Sequence, residues 1–233
     1  MEAVLEGLGR PASLVAADIG AGTGISSRLL AERGVTVHAI EPNQAMRQAG
    51  EAQREPGSAP AITWHSTTGE ATGLPAGSID LVLCAQAFHW LDEPKALGEF
   101  RRILRPETPA GVPTRVALVW NTHDVTHATM VEYRQIILDH ATDPPTSPWF
   151  TETPCPLLAA PGWTNYRRLR FPNSQVLDED GLIGRALSAS YAPKQGPRYD
   201  SLVRQLRELA ASTGSPIRLA YVCEVHLADR GPD

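Results

Sequence analysis

The residues best placed by type and spacing to do chemistry are two acids on either side of a glycine cluster. Asp18-Ile19-Gly20-Ala21-Gly22-Thr23-Gly24 closes one short apolar run, and Glu41-Pro42-Asn43 closes the next. Glycines let the backbone turn tightly and bring N–H groups against a ligand with no Cβ in the way. Such a turn between a strand and a helix is where open α/β sheets bind nucleotides. Spacing narrows the ligand. The dinucleotide fingerprint needs its third glycine where this chain has Ile25, and no Gly-Lys-Ser/Thr follows to make a phosphate loop. An acid two residues before the first glycine offers nothing to a pyrophosphate but gives an aminoacyl ammonium an acceptor. Glu41 is placed to accept both hydroxyls of a ribose, a feature that dinucleotide enzymes share. These residues predict a nucleoside bearing an amine, with an NAD-dependent oxidoreductase as the rival.

A second group of candidates follows later apolar runs. His89 is read as a base or an orienting group and Trp90 as a pocket wall, or both as packing at a strand–helix junction. Asn121, His123 and Asp124 are read either as substrate contacts or, for Asp124 above all, as a helix cap. Tyr191 belongs to the substrate pocket or to the core. Trp149 and Phe150, in a proline-rich stretch, form a lid over an apolar acceptor or a satellite cluster.

The elements that must position these residues show as alternating apolar runs and helical segments. Strands are predicted at Leu14–Ile19, Val35–Ile40, Ile62–His65, Ile79–Cys84 and Arg115–Trp120, with helices at Ile25–Arg33, Gln44–Arg54 (stopped by Pro56-Gly57) and Pro94–Leu104. Runs apolar on both faces and separated by helices predict a parallel sheet covered by helices. The second half predicts helices at Met130–His140, Asp180–Ser190 and Ser201–Ala211, a loop over Asp143–Pro161 and a strand at Tyr166–Phe171. A last strand, Ile217–Leu227, is expected at the sheet edge, antiparallel to its neighbours.

Composition excludes several classes. A net charge of −5 with no basic stripe argues against a nucleic-acid partner. Three scattered cysteines without metal-ligand spacing read as reduced thiols, and no metal is expected. No export signal or bilayer-length apolar run is visible, so a soluble cytoplasmic protein with no membrane partner is expected.

The segment VAADIGAGTG followed by AIEPN resembles the first two motifs of class I S-adenosylmethionine-dependent methyltransferases. TTGEATGLPAGSIDLVLCAQAFHWLD resembles the third and fourth motifs of their type-11 branch, and EFRRILRP and RVALVWN its next helix and strand. LIGRALSASYAPKQGP is similar to a segment of a subgroup related to trans-aconitate methyltransferase-like proteins. The resemblance runs from about Leu14 to Leu227. It implies a Rossmann-like three-layer α/β sandwich, with a mostly parallel seven-stranded sheet and an antiparallel edge strand. That would be a single domain over residues 1–233, with a cofactor-binding half at 1–124 and substrate-covering helices and last strands at 125–233.

The cofactor implied is S-adenosylmethionine. Gly20, Ala21 and Gly22 would line its methionine side, with Asp18 holding the ammonium and Glu41 the ribose. Pro42 and Met46 would pack near the adenine, Glu70 and Ala71 would receive its amino group, and Gln86 would face the methionyl part. His89, Trp90, Asn121 and Tyr191 would meet a small-molecule acceptor, methylated on a carboxylate or hydroxyl oxygen. A base is needed only where the acceptor must lose a proton.

Two departures stand out. PETPAGVPTR replaces the family's Gly-Gly turn before the fifth strand, and few residues precede the first strand, where relatives carry a helical segment. The second departure predicts truncation or a more open site, and with it weaker cofactor binding. Together they keep a non-catalytic methyltransferase-like subunit as a second rival.

Overall fold

The computed structural model describes residues 1–53, 62–106, 111–142 and 155–232. Pro56, Gly57, Trp149, Phe150 and part of the extended turn before the fifth strand lie outside the described residues. The elements run α1 (Glu2–Leu5), β1 (Val15–Ile19), α2 (Ile25–Ala31), β2 (Thr36–Ile40), α3 (Gln44–Ala52), β3 (Ile62–His65), β4 (Leu81–Ala85) and α4 (Glu93–Ile103). They continue with β5 (Arg115–His123), α5 (Ala128–His140), β6 (Trp163–Leu177), α6 (Glu179–Leu187), α7 (Pro197–Thr213) and β7 (Ile217–Arg230).

One seven-stranded sheet has the order β3-β2-β1-β4-β5-β7-β6. The first five strands pair in parallel. β7 runs against β5: the Arg230 N–H donates to the Thr114 carbonyl at 2.8 Å and the Asp124 N–H to the Ala220 carbonyl at 3.1 Å, so partners ascend on one strand as they descend on the other. The α/β class and the mostly parallel sheet are as the sequence predicts. β7 is antiparallel to its neighbours, as expected, but sits one place inside the edge. The edge belongs to β6, which tolerates Pro172 because an edge strand can spare one N–H. That strand is far longer than Tyr166–Phe171, since the asparagine, serine and glutamine of its second half give no apolar alternation.

The chain packs as two compact units. The first comprises Met1–Trp120, Pro154–Leu169 and Val225–Asp233. Its central strands are fully enclosed: Ala16, Ala17, Ile19, Leu81 and Val82 are all buried, as a parallel strand covered on both faces requires. Buried polar contacts fix the register. The Asp80 carboxylate accepts the Val15 N–H at 2.8 Å and pairs with the Arg105 guanidinium, which ties the start of β1 to the start of β4. At the other end, Gly20 and Ala21 both donate to the Ile40 carbonyl, at 2.9 and 3.1 Å, so β1 stays attached to β2 as it enters the glycine turn.

The second unit comprises Asn121–Thr153 and Arg170–Glu224. Its core is built by α5, α6, α7 and β7 around Met130, Tyr133, Leu182, Leu202, Leu206 and Leu219. Among the described residues no helix is long and apolar enough to cross a membrane.

Trp64 of β3 locks the first unit's loop to its helix. A Cβ on Gly24 would lie 2.9 Å from the indole, and a Cβ on Gly50 of α3 would overlap the same ring. The sequence pattern does not reveal this wedge, because β3 and α3 meet only in three dimensions. In an ordinary helix Gly50→Ala would stabilise by about 1 kcal/mol. Here the added methyl meets an aromatic ring, and we expect a loss of about 1–3 kcal/mol in urea unfolding. Trp64→Leu in the same chain should remove that loss; a stabilised Gly50→Ala single variant would show that the indole is not fixed there.

Candidate active site

The site is assembled at the carboxyl ends of β1, β2 and β4, where the strand order reverses. β1 feeds β2 on one side and has β4 on the other, and open α/β sheets bind ligands in the crevice this creates. The closeness of the two strand exits is set at one residue. Gly20 has φ +66°, and a Cβ there would overlap that of Ala87, just beyond β4. Only glycine meets both demands.

Asp18, two residues before Gly20, is wholly buried. Its Oδ2 accepts the Ser26 and Ser27 hydroxyls at 2.7 and 2.5 Å, and its Oδ1 has no hydrogen-bond partner. Burial pushes its pKa up to about 6; the two serines act against this, and the Glu41 charge adds to it. A buried acceptor without a donor is costly. The vacant side suits a cationic donor such as an ammonium, received directly or through water.

Glu41 closes β2 and clips two elements together. Its Oε2 accepts the Gly22 N–H at 2.9 Å and its Oε1 the Asn43 N–H at 2.8 Å, at the start of α3. Arg47 secures the backbone beneath it, donating to the Glu41 and Pro42 carbonyls at 2.7 and 2.8 Å. Arg28 does the same for the turn through the Thr23 carbonyl, at 2.8 Å. Met46 lies over the loop, with its Cε 3.5 Å from where a Gly22 Cβ would stand, and remains 44 % exposed. Pro42 is exposed beside it. Arg28, Arg47, Trp64 and Ala87 escape the sequence reading; basic residues on a helix usually signal only a solvated face.

The segment carrying Glu70 and Ala71 packs against the end of β1, since a Cβ on Gly69 would lie 2.6 Å from Ile19 Cγ2. Glu70 Oε1 accepts the Asp92 N–H at 3.0 Å, at the N-terminus of α4. Burial raises the Glu70 pKa, but the N–H groups of Asp92 and Glu70 and the Thr68 hydroxyl outweigh it and hold the carboxyl below its usual range. Ala71 is exposed and bridges Thr68. Gln86 follows β4 with φ +60°, its N–H donating to the Val119 carbonyl at 2.8 Å.

Just beyond stands the turn Phe88–Trp90. Phe88 is its anchor, packed at 6.2 Å from Phe100 and 6.4 Å from Trp120 between ring centroids. His89 is half-buried, its Nδ1 enclosed without a partner, and burial lowers its pKa, so it is neutral at neutral pH. Trp90 is 72 % exposed, 4.9 Å from the His89 ring; simple packing therefore describes Phe88 and not Trp90.

Asn121 and Tyr191 belong to the second unit. Asn121 Oδ1 accepts from Asn173 Nδ2 at 3.0 Å, and the Tyr191 carbonyl accepts the Thr142 N–H at 3.0 Å. Asp124 holds a turn rather than a helix end: its carboxylate accepts the N–H and hydroxyl of Thr126 at 3.1 and 2.6 Å, while His127 occupies the N-cap of α5.

A glycine turn at the switch point, a buried acid behind it and a second acid closing the next strand thus stand together on a Rossmann-like sheet. Residues 17–108 match the family model described as a methyltransferase domain. An uncharacterized methyltransferase of Mycobacterium tuberculosis is 38% identical over 120 residues, 52% of this chain and 45% of the relative. A methyltransferase-like protein of Schizosaccharomyces pombe is 28% identical over 71% of this chain and 60% of its own length. The chain thus spans about half the length of the curated relatives it matches.

Among solved structures, one from Anaeromyxobacter dehalogenans assigned to the type II methyltransferases superposes with TM-score 0.60 at 24% identity, covering 94% of this chain and 91% of that one. A geranyl diphosphate methyltransferase superposes with TM-score 0.54 at 14% identity, over 98% and 83%. These two likenesses show the fold. Family model, relatives and fold agree with the class I methyltransferase resemblance carried by the motifs, and none of them singles out the trans-aconitate-related subgroup.

Asp18 supplies a test of the site's electrostatics. Its folded pKa is raised, so its contribution to stability is fully present below the unfolded carboxyl pKa near 4 and is lost as pH rises through 6. At pH 7.5, Asp18→Asn should therefore stabilise the ligand-free chain by about 1–3 kcal/mol, a rise of a few degrees in Tm. The gain should vanish toward pH 4. A Tm difference that does not change with pH would show that Asp18 is not a buried, uncompensated charge.

Proposed function

We propose that this chain is an S-adenosylmethionine-dependent methyltransferase acting on a small molecule, O-methylating a carboxylate or hydroxyl. The observation that carries the reading is the unpartnered Asp18 Oδ1 behind the Gly20 turn, with Glu41 at the end of the adjacent strand. That arrangement offers one acid to an amine and another to a sugar. It is further supported by fold neighbours whose structures contain S-adenosylmethionine or its analogue sinefungin. The cofactor supplies, when bound, a methyl group on a sulfonium.

The chain's own residues do the positioning. Gly20, Ala21 and Gly22 leave room for the methionyl portion, which Gln86 faces. Asp18 orients the ammonium. Glu41 turns its carboxylate from a backbone N–H to the ribose hydroxyls, and the loop keeps its shape through Arg28 and Arg47. Pro42 and Met46 flank the adenine, whose amino group meets Glu70 and Ala71.

Trp90 contacts the acceptor. Holding nucleophile and electrophile in line away from water contributes several kcal/mol, on the order of 7–11 in well-oriented intramolecular systems. Neutral His89 takes the proton from a hydroxyl acceptor through its free nitrogen, and for a carboxylate acceptor it only orients. The NAD reading fits less well: Ile25, where a third glycine would stand, is the first residue of α2. We place the protein in the cytoplasm, with residues 1–233 forming a methyltransferase domain without nucleic-acid or membrane partners.

Calorimetry tests the cofactor assignment. S-adenosylhomocysteine should bind and NADH should not, and Glu41→Ala should weaken the former at least tenfold, about 1.4 kcal/mol. Unchanged affinity in that variant would remove the ribose assignment, and NADH binding alone would replace the reading. A second measurement addresses His89. With a hydroxyl acceptor drawn from a panel of small phenols and acids, His89→Asn should slow S-adenosylhomocysteine release by about 10²–10⁴-fold. With a carboxylate acceptor it should change little. Equal losses for both would deny His89 a proton-transfer role.

A further inference from the structure

In the second unit an imidazole, phenol rings and a guanidinium lie near one another. His123, the last residue of β5, lies 6.1 Å from Tyr133 of α5 and 5.6 Å from Tyr221 of β7 between ring centroids. The Arg185 guanidinium of α6 stands 6.0 Å from the centre of the Tyr221 ring. Arg134 of α5 and Arg185 both act electrostatically on His123 and on Tyr191. Among the described residues neither arginine forms an ion pair; Arg185 spends one N–H on the Ser188 hydroxyl, at 3.0 Å.

Two features of this cluster are unexplained by folding. Tyr221 is 1 % exposed, and among the described residues its hydroxyl has no hydrogen-bond partner. An orphaned buried hydroxyl is destabilising, and phenylalanine would fill the same space without that loss. The second is the positive charge. Burial, then Arg185 and Arg134, push the His123 pKa down to about 4, so the imidazole is neutral, and among the described residues neither guanidinium has a carboxylate partner. His123, Arg134, Arg185 and Tyr191 are only partly buried, which leaves the cluster an open side. Guanidinium, phenol and imidazole N–H are all donors, and a planar guanidinium presents its N–H groups in a fork that matches two oxygens at once.

We propose that Arg185, Tyr221 and His123 form a binding site for a small oxyanion, a carboxylate or a phosphate, within the second unit. Arg185 carries the charge and the paired donors, Tyr221 adds its free hydroxyl, and His123 adds one ring N–H. Arg134 strengthens the field from further off. The site rests on the second unit alone and does not depend on what the first unit binds.

The experiment is calorimetric titration of the full chain with citrate and, separately, with inorganic phosphate, at constant ionic strength against a chloride control. Saturable binding of one probe is expected, and the probe that binds tells a carboxylate site from a phosphate site. Arg185→Gln should weaken binding at least tenfold and Arg134→Gln two- to fivefold. Should Arg185→Gln fail to fold, Arg185→Lys keeps the charge without the fork and should still weaken binding severalfold. Tyr221→Phe should weaken binding threefold or more while leaving the anion-free Tm equal or higher. Arg207→Gln, which breaks an exposed pair with Glu179, should leave binding unchanged. No saturable binding of either probe, or binding indifferent to Arg185 and Tyr221, would overturn the proposal. S-adenosylhomocysteine binding is measured separately and fails or succeeds on its own.

Discussion

The Glu41 carboxylate is the point on which the first unit's binding edge depends. One oxygen holds the Gly22 N–H and the other the Asn43 N–H, so a single side chain sets the glycine turn against the start of α3. An acid at that place is also half of an electrostatic problem, because Asp18 is buried nearby and the Glu41 charge raises the cost of ionising it. Two serine hydroxyls satisfy one oxygen of Asp18 and leave the other free. Stability alone does not call for such an arrangement: a buried charge without a full set of partners lowers it. The arrangement becomes economical when a cation with hydroxyls nearby occupies the turn, since both carboxylates then gain donors.

Everything beneath this edge serves to hold it still. The Asp80 carboxylate secures the amino ends of β1 and β4, so the exits of the same strands arrive in register at Gly20 and Ala87. Trp64 fills the space between the turn and α3, where two glycines make room for its ring. Phe88 sinks into the core beside Phe100 and Trp120 and keeps His89 and Trp90 at the mouth of β4. The polar groups are thus placed by apolar neighbours whose rotamers are fixed by packing, which is how a site stays within the tolerance that catalysis needs.

The second unit follows a different logic. Its helices pack an apolar core against β7, yet at one end of that core the side chains are phenols, an imidazole and a guanidinium. Among the described residues the Tyr221 hydroxyl has no acceptor and Arg185 no carboxylate partner. A fold leaves such groups unsatisfied mainly where something from outside completes them.

From residue order alone the α/β class, the parallel strands and the glycine turn are legible, because each is written in local periodicity and in glycine spacing over a few residues. Asp18, Gly20 and Glu41 are legible for the same reason: they sit at fixed offsets from strands that the apolar pattern marks. What escaped is whatever depends on residues distant in sequence. The place of β7 inside the sheet, the length of the polar edge strand β6, the Trp64 wedge, the backbone clamps of Arg28 and Arg47 and the meeting of Arg185 with Tyr221 all arise from crossovers that bring separate elements together. Pattern reports which face of an element is apolar. Only the packed chain decides which polar group then faces another, and which is left without a partner.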